Sequence, residues 1–311
     1  MLLFGDRDFR EVRAWILRNA RPLELALWRF HFEGGGARGV IDALELYRNA
    51  DGGFGNALEP DNWNPESTPY ATDFAIRILR GIGVTDLRHP IYEGALRYLA
   101  ETPYRDGRGF HFTIPSNDGW PCAIWWKHGD GSGNARQGIG ITASLSGFVL
   151  RYAGEDTPIY GIARGYAEGL FEGLGEGDLG DMGLFGLRSL CADIRASKLQ
   201  GAFDLPALEA ATRALIRGHF VEYVWSNHQD MATAFPDPTA DPYPEYAREV
   251  ADSLDELIRL RRPGGVWDVP WEWYDGGRHA AEFAIAENWW RSFKAIEKLL
   301  FIRSHGRLQV D

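Results

Sequence analysis

The chain reads as all-α, and three observations predict it. Apolar residues recur at helical spacing in one segment after another. Apolar–polar alternation is confined to "GFHFTI" at 109–114, which leaves room for very little sheet. A Gly-rich turn followed by an aromatic residue recurs along the chain: "YRNADGGFGN" at 47–56, "YRDGRGFHF" at 104–112 and "LRRPGGVWDV" at 260–269.

The elements follow in order. "RDFREVRAWILRNA" sets Phe9, Val12, Ile16 and Leu17 on one face of a first helix. "PLELALWRFHF" and "GVIDALELYRNA" follow, separated by the glycines at 34–36. "STPYATDFAIRILRGIG" offers Ser67 or Thr68 as N-cap and Gly81 or Gly83 as stop. "HPIYEGALRYLAETPY" is the next helix. After a long loop come "GIGITASLSGFVLRYAG", "TPIYGIARGYAEGLFEGL", "MGLFGLRSLCADIRASK", "LPALEAATRALIRGHFVEYVW", "YAREVADSLDELIRL" and "RHAAEFAIAENWWRSFKAIEKLLFIRS". The first two turns lie about 55 residues apart and the last two about 158, close to three units of about 53. One helical hairpin per unit gives about five to six units over 311 residues. Repeated hairpins stack as a solenoid or close into a ring. The glycines of the turns end helices and need no functional explanation.

Bulk properties narrow the partners. The net charge of −11 speaks against nucleic acid and anionic membrane surfaces, which call for a basic face. No apolar run is long enough to span a bilayer, and the start of the chain has no signal-peptide core. Two distant cysteines, Cys122 and Cys191, fit a reducing compartment, so the expected location is the cytoplasm. Twelve Trp are many, and they serve either as core filler or as the walls of an aromatic cavity.

"LYRNADGGFGNALEPD" resembles the glutamine–tryptophan repeat of squalene–hopene cyclases and protein prenyltransferase β-subunits. Asp51-Gly52-Gly53-Phe54-Gly55 matches the motif core, with Arg48 or Asn49 near its usual Gln. The whole chain also looks like a branch of uncharacterised prenyltransferase-like bacterial proteins. Its landmarks here are "GGFGNALEPDNWNPEST", the Trp pair at 125–126, "TASLSGFVLR", "VWDVPWEW" and "AENWWRS". The resemblance implies one α/α toroid domain over residues 1–311, with inner helices around a central cavity and outer helices outside. It also implies a small-molecule, isoprenoid-like substrate. The chemistry does not carry over with the fold. The D-x-D-D acid motif of class II cyclases is absent, and "ADSLDEL" at 251–257 does not match D-D-x-x-D. Neither Cys stands in a prenyltransferase zinc setting, and no His/Asp/Glu set has metal spacing. Mg²⁺ enters only if the substrate is a diphosphate.

In a toroid each Gly-rich turn closes an outer helix, and the loop after it feeds an inner one. Three such loops combine acids with indoles. From them the catalytic candidates are Glu59 and Asp61, with Asp73 on the helix that follows. The substrate-binding candidates are Trp63, His111, Trp125, Trp126, Arg136, Trp271 and Trp273. Each has a structural counter-reading. Glu59 and Asp61 would hydrogen-bond loop N–H groups, Asp73 would suit the helix dipole, and His111 would be a bonded loop histidine. Three functions compete. The first is an isoprenoid enzyme with a carboxylic acid and cation–π walls. The second is a carbohydrate-active enzyme, with Glu59 and Asp61 set against Glu272 and Asp275. The third is a non-catalytic binding protein on the same scaffold.

Overall fold

In a computed structural model, residues 1–84, 86, 88–174, 179–222 and 247–310 are described. They hold eleven α-helices and no strand: α1 (Asp6–Asn19), α2 (Pro22–Phe32), α3 (Ala37–Leu44), α4 (Pro69–Gly81), α5 (Pro90–Glu101), α6 (Asn134–Tyr152), α7 (Pro158–Glu172), α8 (Gly183–Ala196), α9 (Leu205–Glu222), α10 (Ala247–Leu260) and α11 (Ala280–Ser304). The all-α class is therefore as the sequence predicts. None of the described helices is long and apolar enough to cross a membrane.

Local differences have local causes. The expected third helix tightens after Leu44 into a 3₁₀ turn at Glu45–Tyr47, which delivers the chain to the first Gly-rich turn. α6 starts four residues earlier than its apolar periodicity, at Asn134. The alternating segment 109–114 makes an isolated bridge between Arg105 and Phe110 rather than a strand. The expected ends of two helices, at 223–225 and at 246, lie outside the described residues. Thr68 is the N-cap of α4, its Oγ1 accepting from Ala71 N–H at 2.9 Å.

The described residues form two compact units, 1–43 with 218–311, and 44–217. In the first, α1, α2 and α11 pack on one another, and Trp28 lies among Phe9 and Phe32. In the second, α6 packs along α8 and touches α4, while α5 touches α7. Alternate helices are thus neighbours, and the unit has two layers. α4 and α6 bury nearly every residue between Pro69 and Leu79 and between Gly138 and Tyr152. A helix buried all round is an inner-layer helix. α5 and α7 each keep one exposed face. α6 and α8 approach so closely that a Cβ at Gly186 would lie 2.0 Å from the Gly140 carbonyl oxygen. That contact explains the glycine at 186, and a Cβ at Gly140 would lie 2.4 Å from the Met182 carbonyl oxygen, which explains the glycine at 140.

The first turn shares hydrogen bonds with each of the other two. Arg48 bridges Phe54 as Arg105 bridges Phe110. Gly55 N–H donates to Tyr47 O at 3.0 Å, and His111 N–H to Tyr104 O at 3.0 Å. In the third turn Arg262 N–H donates to Val266 O and Gly265 N–H to Arg262 O, matching Asn49 to Gly53 and Gly52 to Asn49. The aromatic residues that end the three turns, Phe54, Phe110 and Trp267, are all buried. In the first two, the helix after the turn returns a threonine. Phe54 N–H donates to Thr72 Oγ1 on α4 and Phe110 N–H to Thr142 Oγ1 on α6.

Candidate functional site

The loop after the first turn is held against the second long loop. Asn62 bridges Cys122, Ala123 N–H donates to Asp61 O at 2.9 Å, and Trp63 N–H donates to Pro121 O at 3.0 Å. This pairing brings the 59–63 segment beside the Trp pair at 125–126. Asn64 secures it further, donating from Nδ2 to Asn117 Oδ1 and Ser116 Oγ, each at 2.8 Å.

The three predicted catalytic carboxylates are all deeply buried: Glu59 is 4%, Asp61 1% and Asp73 2% exposed. Buried acids call for charged or hydrogen-bonding company. Asp73 has it in Arg77, one helical turn on, at 3.0 Å between Oδ2 and Nε. The Arg77 guanidinium lies over three aromatic faces: Phe74 at 5.0 Å, Tyr70 at 5.6 Å and Phe185 of α8 at 5.8 Å. Tyr70 is the hub of the group. Its ring meets Trp126 edge-on at 4.4 Å and Phe112 at 5.2 Å, and Phe112 stacks on Trp126 at 4.6 Å. Burial pushes the Tyr70 phenol up to about 12; Arg77 opposes this and the charges of Glu59 and Asp73 add to it. Glu59 also acts on Cys122, whose thiol is pushed up mainly by burial.

Asp73 Oδ1 and Trp126 Nε1 in this group accept or donate no hydrogen bond among the described residues. Buried polar atoms are rarely left so, and both belong to the same aromatic and acidic cluster.

Of the other predicted residues, Trp63 and Trp125 flank the cluster on its two paired loops, and the rest lie elsewhere. Trp63 is half-buried, with its indole N–H donating to Pro60 O at 3.0 Å, and Trp125 is partly exposed. His111 sits at a small cavity of about 30 Å³ with Asp106, Arg108 and Asn134. Its imidazole is held below the usual range, chiefly by burial. Arg136 is half-exposed at the start of α6 and pairs with Asp181 at 3.2 Å. Trp271 and Trp273 belong to the other unit. There Trp271 meets Trp290 edge-on at 5.5 Å, and buried Trp273 lies 6.0 Å from Phe283. In that loop Asp275 accepts from Gly277 N–H and His279 N–H, closing the turn ahead of α11. Asp268 pairs with Arg262 and Arg291.

Tyr70, Arg77, Phe112 and Phe185 are the residues that sequence reasoning missed. Tyr70, Asp73 and Arg77 stand at i, i+3 and i+7, so one face of a helix carries all three. That signal was readable. Phe185 comes from a distant helix and had none. Among the described residues no group of three or more His, Cys, Asp or Glu side chains is placed to hold a metal ion. Comparison with protein families, with curated proteins and with solved structures finds no match to this chain.

Proposed function

We propose that the chain is an enzyme of the terpenoid-cyclase and prenyltransferase type, folded as an α/α toroid of five to six hairpins. Its substrate is an apolar, isoprenoid-like small molecule. The observation that carries the chemistry is the buried cluster in which Glu59, Asp73 and Arg77 surround Tyr70 within the aromatic wall of Phe112 and Trp126. The alternate-helix layering of α4, α6 and α8 and the recurrence of one turn support the toroid.

The roles divide by environment. Asp73 is paired with Arg77 and fixes the guanidinium. One carboxyl, Glu59 or Asp61, is the proton donor: its O–H bond breaks as a C–H bond forms on the substrate alkene, leaving a carboxylate and a carbocation, and loss of a neighbouring C–H proton from the cation to that carboxylate restores the acid and the alkene. The faces of Tyr70, Phe112 and Trp126 stabilise the resulting cation. Trp63 and Trp125 line the approach.

A thermal-shift panel tests this reading. One half holds neutral terpenoids and prenyl diphosphates, the latter with and without Mg²⁺. The other holds neutral and acidic oligosaccharides. At about 100 Kd an isoprenoid that binds only the folded chain raises Tm by about 3–5 °C. The expected response is confined to the isoprenoid half and weakened in Trp126→Ala, while Glu59→Gln retains binding and loses turnover. A response to sugars alone would replace the proposal with paired-carboxylate glycoside chemistry. Silence in both halves would leave the scaffold without this activity.

A further inference from the structure

A second concavity of the 44–217 unit lies at the first Gly-rich turn, outside the acid–aromatic cluster. It is an open cleft of about 660 Å³ lined by Asn49, Asp51, Glu66, Tyr98, Glu101 and Tyr104 among others. That volume falls in the range of small-ligand sites. Its described lining carries three carboxylates, two phenol rings and two prolines, and no basic side chain.

The walls are fixed before any ligand arrives. Asp51 Oδ1 accepts from Ser67 Oγ at 2.8 Å and from Gly53 N–H at 2.9 Å. Asn49 Nδ2 donates to Pro65 O at 2.9 Å and to Ser67 Oγ at 3.0 Å. The Tyr98 hydroxyl donates to Ser67 O at 3.0 Å, and Glu66 Oε2 accepts from Ser116 Oγ at 2.9 Å. Burial raises the Tyr98 phenol, and Asp51 and Glu66 raise it further, so the negative charges act on one ring. A concave wall that is anionic, aromatic and pre-organised selects cations with an apolar body.

We propose that this cleft binds a small organic cation, a primary amine or guanidinium on an apolar stem. The carboxylates of Asp51, Glu66 and Glu101 face its charge, and Tyr98, Tyr104, Pro65 and Pro103 take its stem. This assignment is independent of the chemistry proposed for Glu59 and Asp61.

Calorimetry on the full chain tests it with agmatine and cadaverine as probes. The neutral counterpart is 1,5-pentanediol and the anionic one glutarate. The expected result is one site for the amines, no binding of diol or glutarate, and weakening as salt rises. Affinity falls at least about tenfold in the double variant Glu66→Gln/Glu101→Gln, which removes two charges from an exposed rim. Ala50→Trp, which fills the cleft from an exposed lining position, abolishes binding with the circular dichroism spectrum unchanged. Equal binding of diol and amine would overturn the proposal, as would no amine binding at all. So would amine binding undiminished in both variants, which would mark diffuse attraction to a chain of net charge −11.

Discussion

Gly53 shows how one residue couples the turn to the helices around it. A Cβ there would lie 2.6 Å from the Tyr98 ring and 2.7 Å from Ser67 Cβ, both buried. Gly53→Ala is expected to destabilise the chain by about 1–3 kcal/mol in urea titration, while Gly36→Ala, with nothing within 4 Å, changes little. The motif "DGGFG" was legible as a joint because glycine pairs announce a turn. Which wall each glycine touches was not, since Tyr98 comes from α5, the second helix after the turn. Asp255 gives a residue-scale prediction for pH. The Leu2 N–H, with Arg307, holds its carboxyl down at about 2. A depressed carboxylate stabilises the fold above its unfolded value of about 3.9, and the contribution is lost as pH falls through about 2. After screening by solvent it amounts to about 1–2 kcal/mol. Asp255→Asn is therefore expected to be less stable than the wild type at pH 6, with the gap closing toward pH 2 in chemical denaturation.

At the scale of elements, the repeated turn is the best test of what sequence patterns convey. The echoes at 47, 104 and 260 were visible as strings, and in the structure the first turn shares backbone hydrogen bonds with each of the other two. The threonine that completes two of them was not visible. Thr72 follows Phe54 by 18 residues and Thr142 follows Phe110 by 32, because the loops between differ in length. A side chain that meets a backbone N–H across a variable loop leaves no fixed spacing to read. Thr72→Val and Thr142→Val keep the shape and remove the acceptor. Each is expected to cost about 1–3 kcal/mol, the penalty of a buried N–H left unpaired. Thr→Ser at either position should recover most of it, and equilibrium unfolding of the four variants checks both statements. The candidate site divides in the same way. Asp73 and its Arg77 partner lie on one helix and were within reach of periodicity. The meeting of Glu59, Tyr70 and Trp126 depends on two loops pairing at 61–63 and 121–123, which no helical period encodes.

At the scale of the whole molecule, the number and type of helices among the described residues followed from periodicity, whereas the division into units did not. The 44–217 unit contains two complete turns, its own buried aromatic core at Tyr92, Phe148 and Tyr152, and the acid–aromatic cluster. A second cluster around Leu187, Leu190, Ile194 and Leu208 joins α8 and α9 to the same unit. Stacked hairpins gain stability from their neighbours, and about three of them suffice to bury a continuous core. Residues 44–217 carry α4 to α8 and α9 as far as Arg217, that is, nearly three consecutive helix pairs. Expressed alone, this segment is expected to be helical by circular dichroism and to melt cooperatively, below the Tm of the full chain. Such a result would make it a self-sufficient arc of the proposed ring. It would also place the acid–aromatic cluster and the amine cleft on a fragment small enough for residue-by-residue titration. A segment that is helical yet melts without cooperativity would mean that the hairpins reach a unique packing only when the chain is closed by residues 1–43 and 218–311. The ring would then be the folding unit, and mutations in either unit would lower one shared transition rather than two.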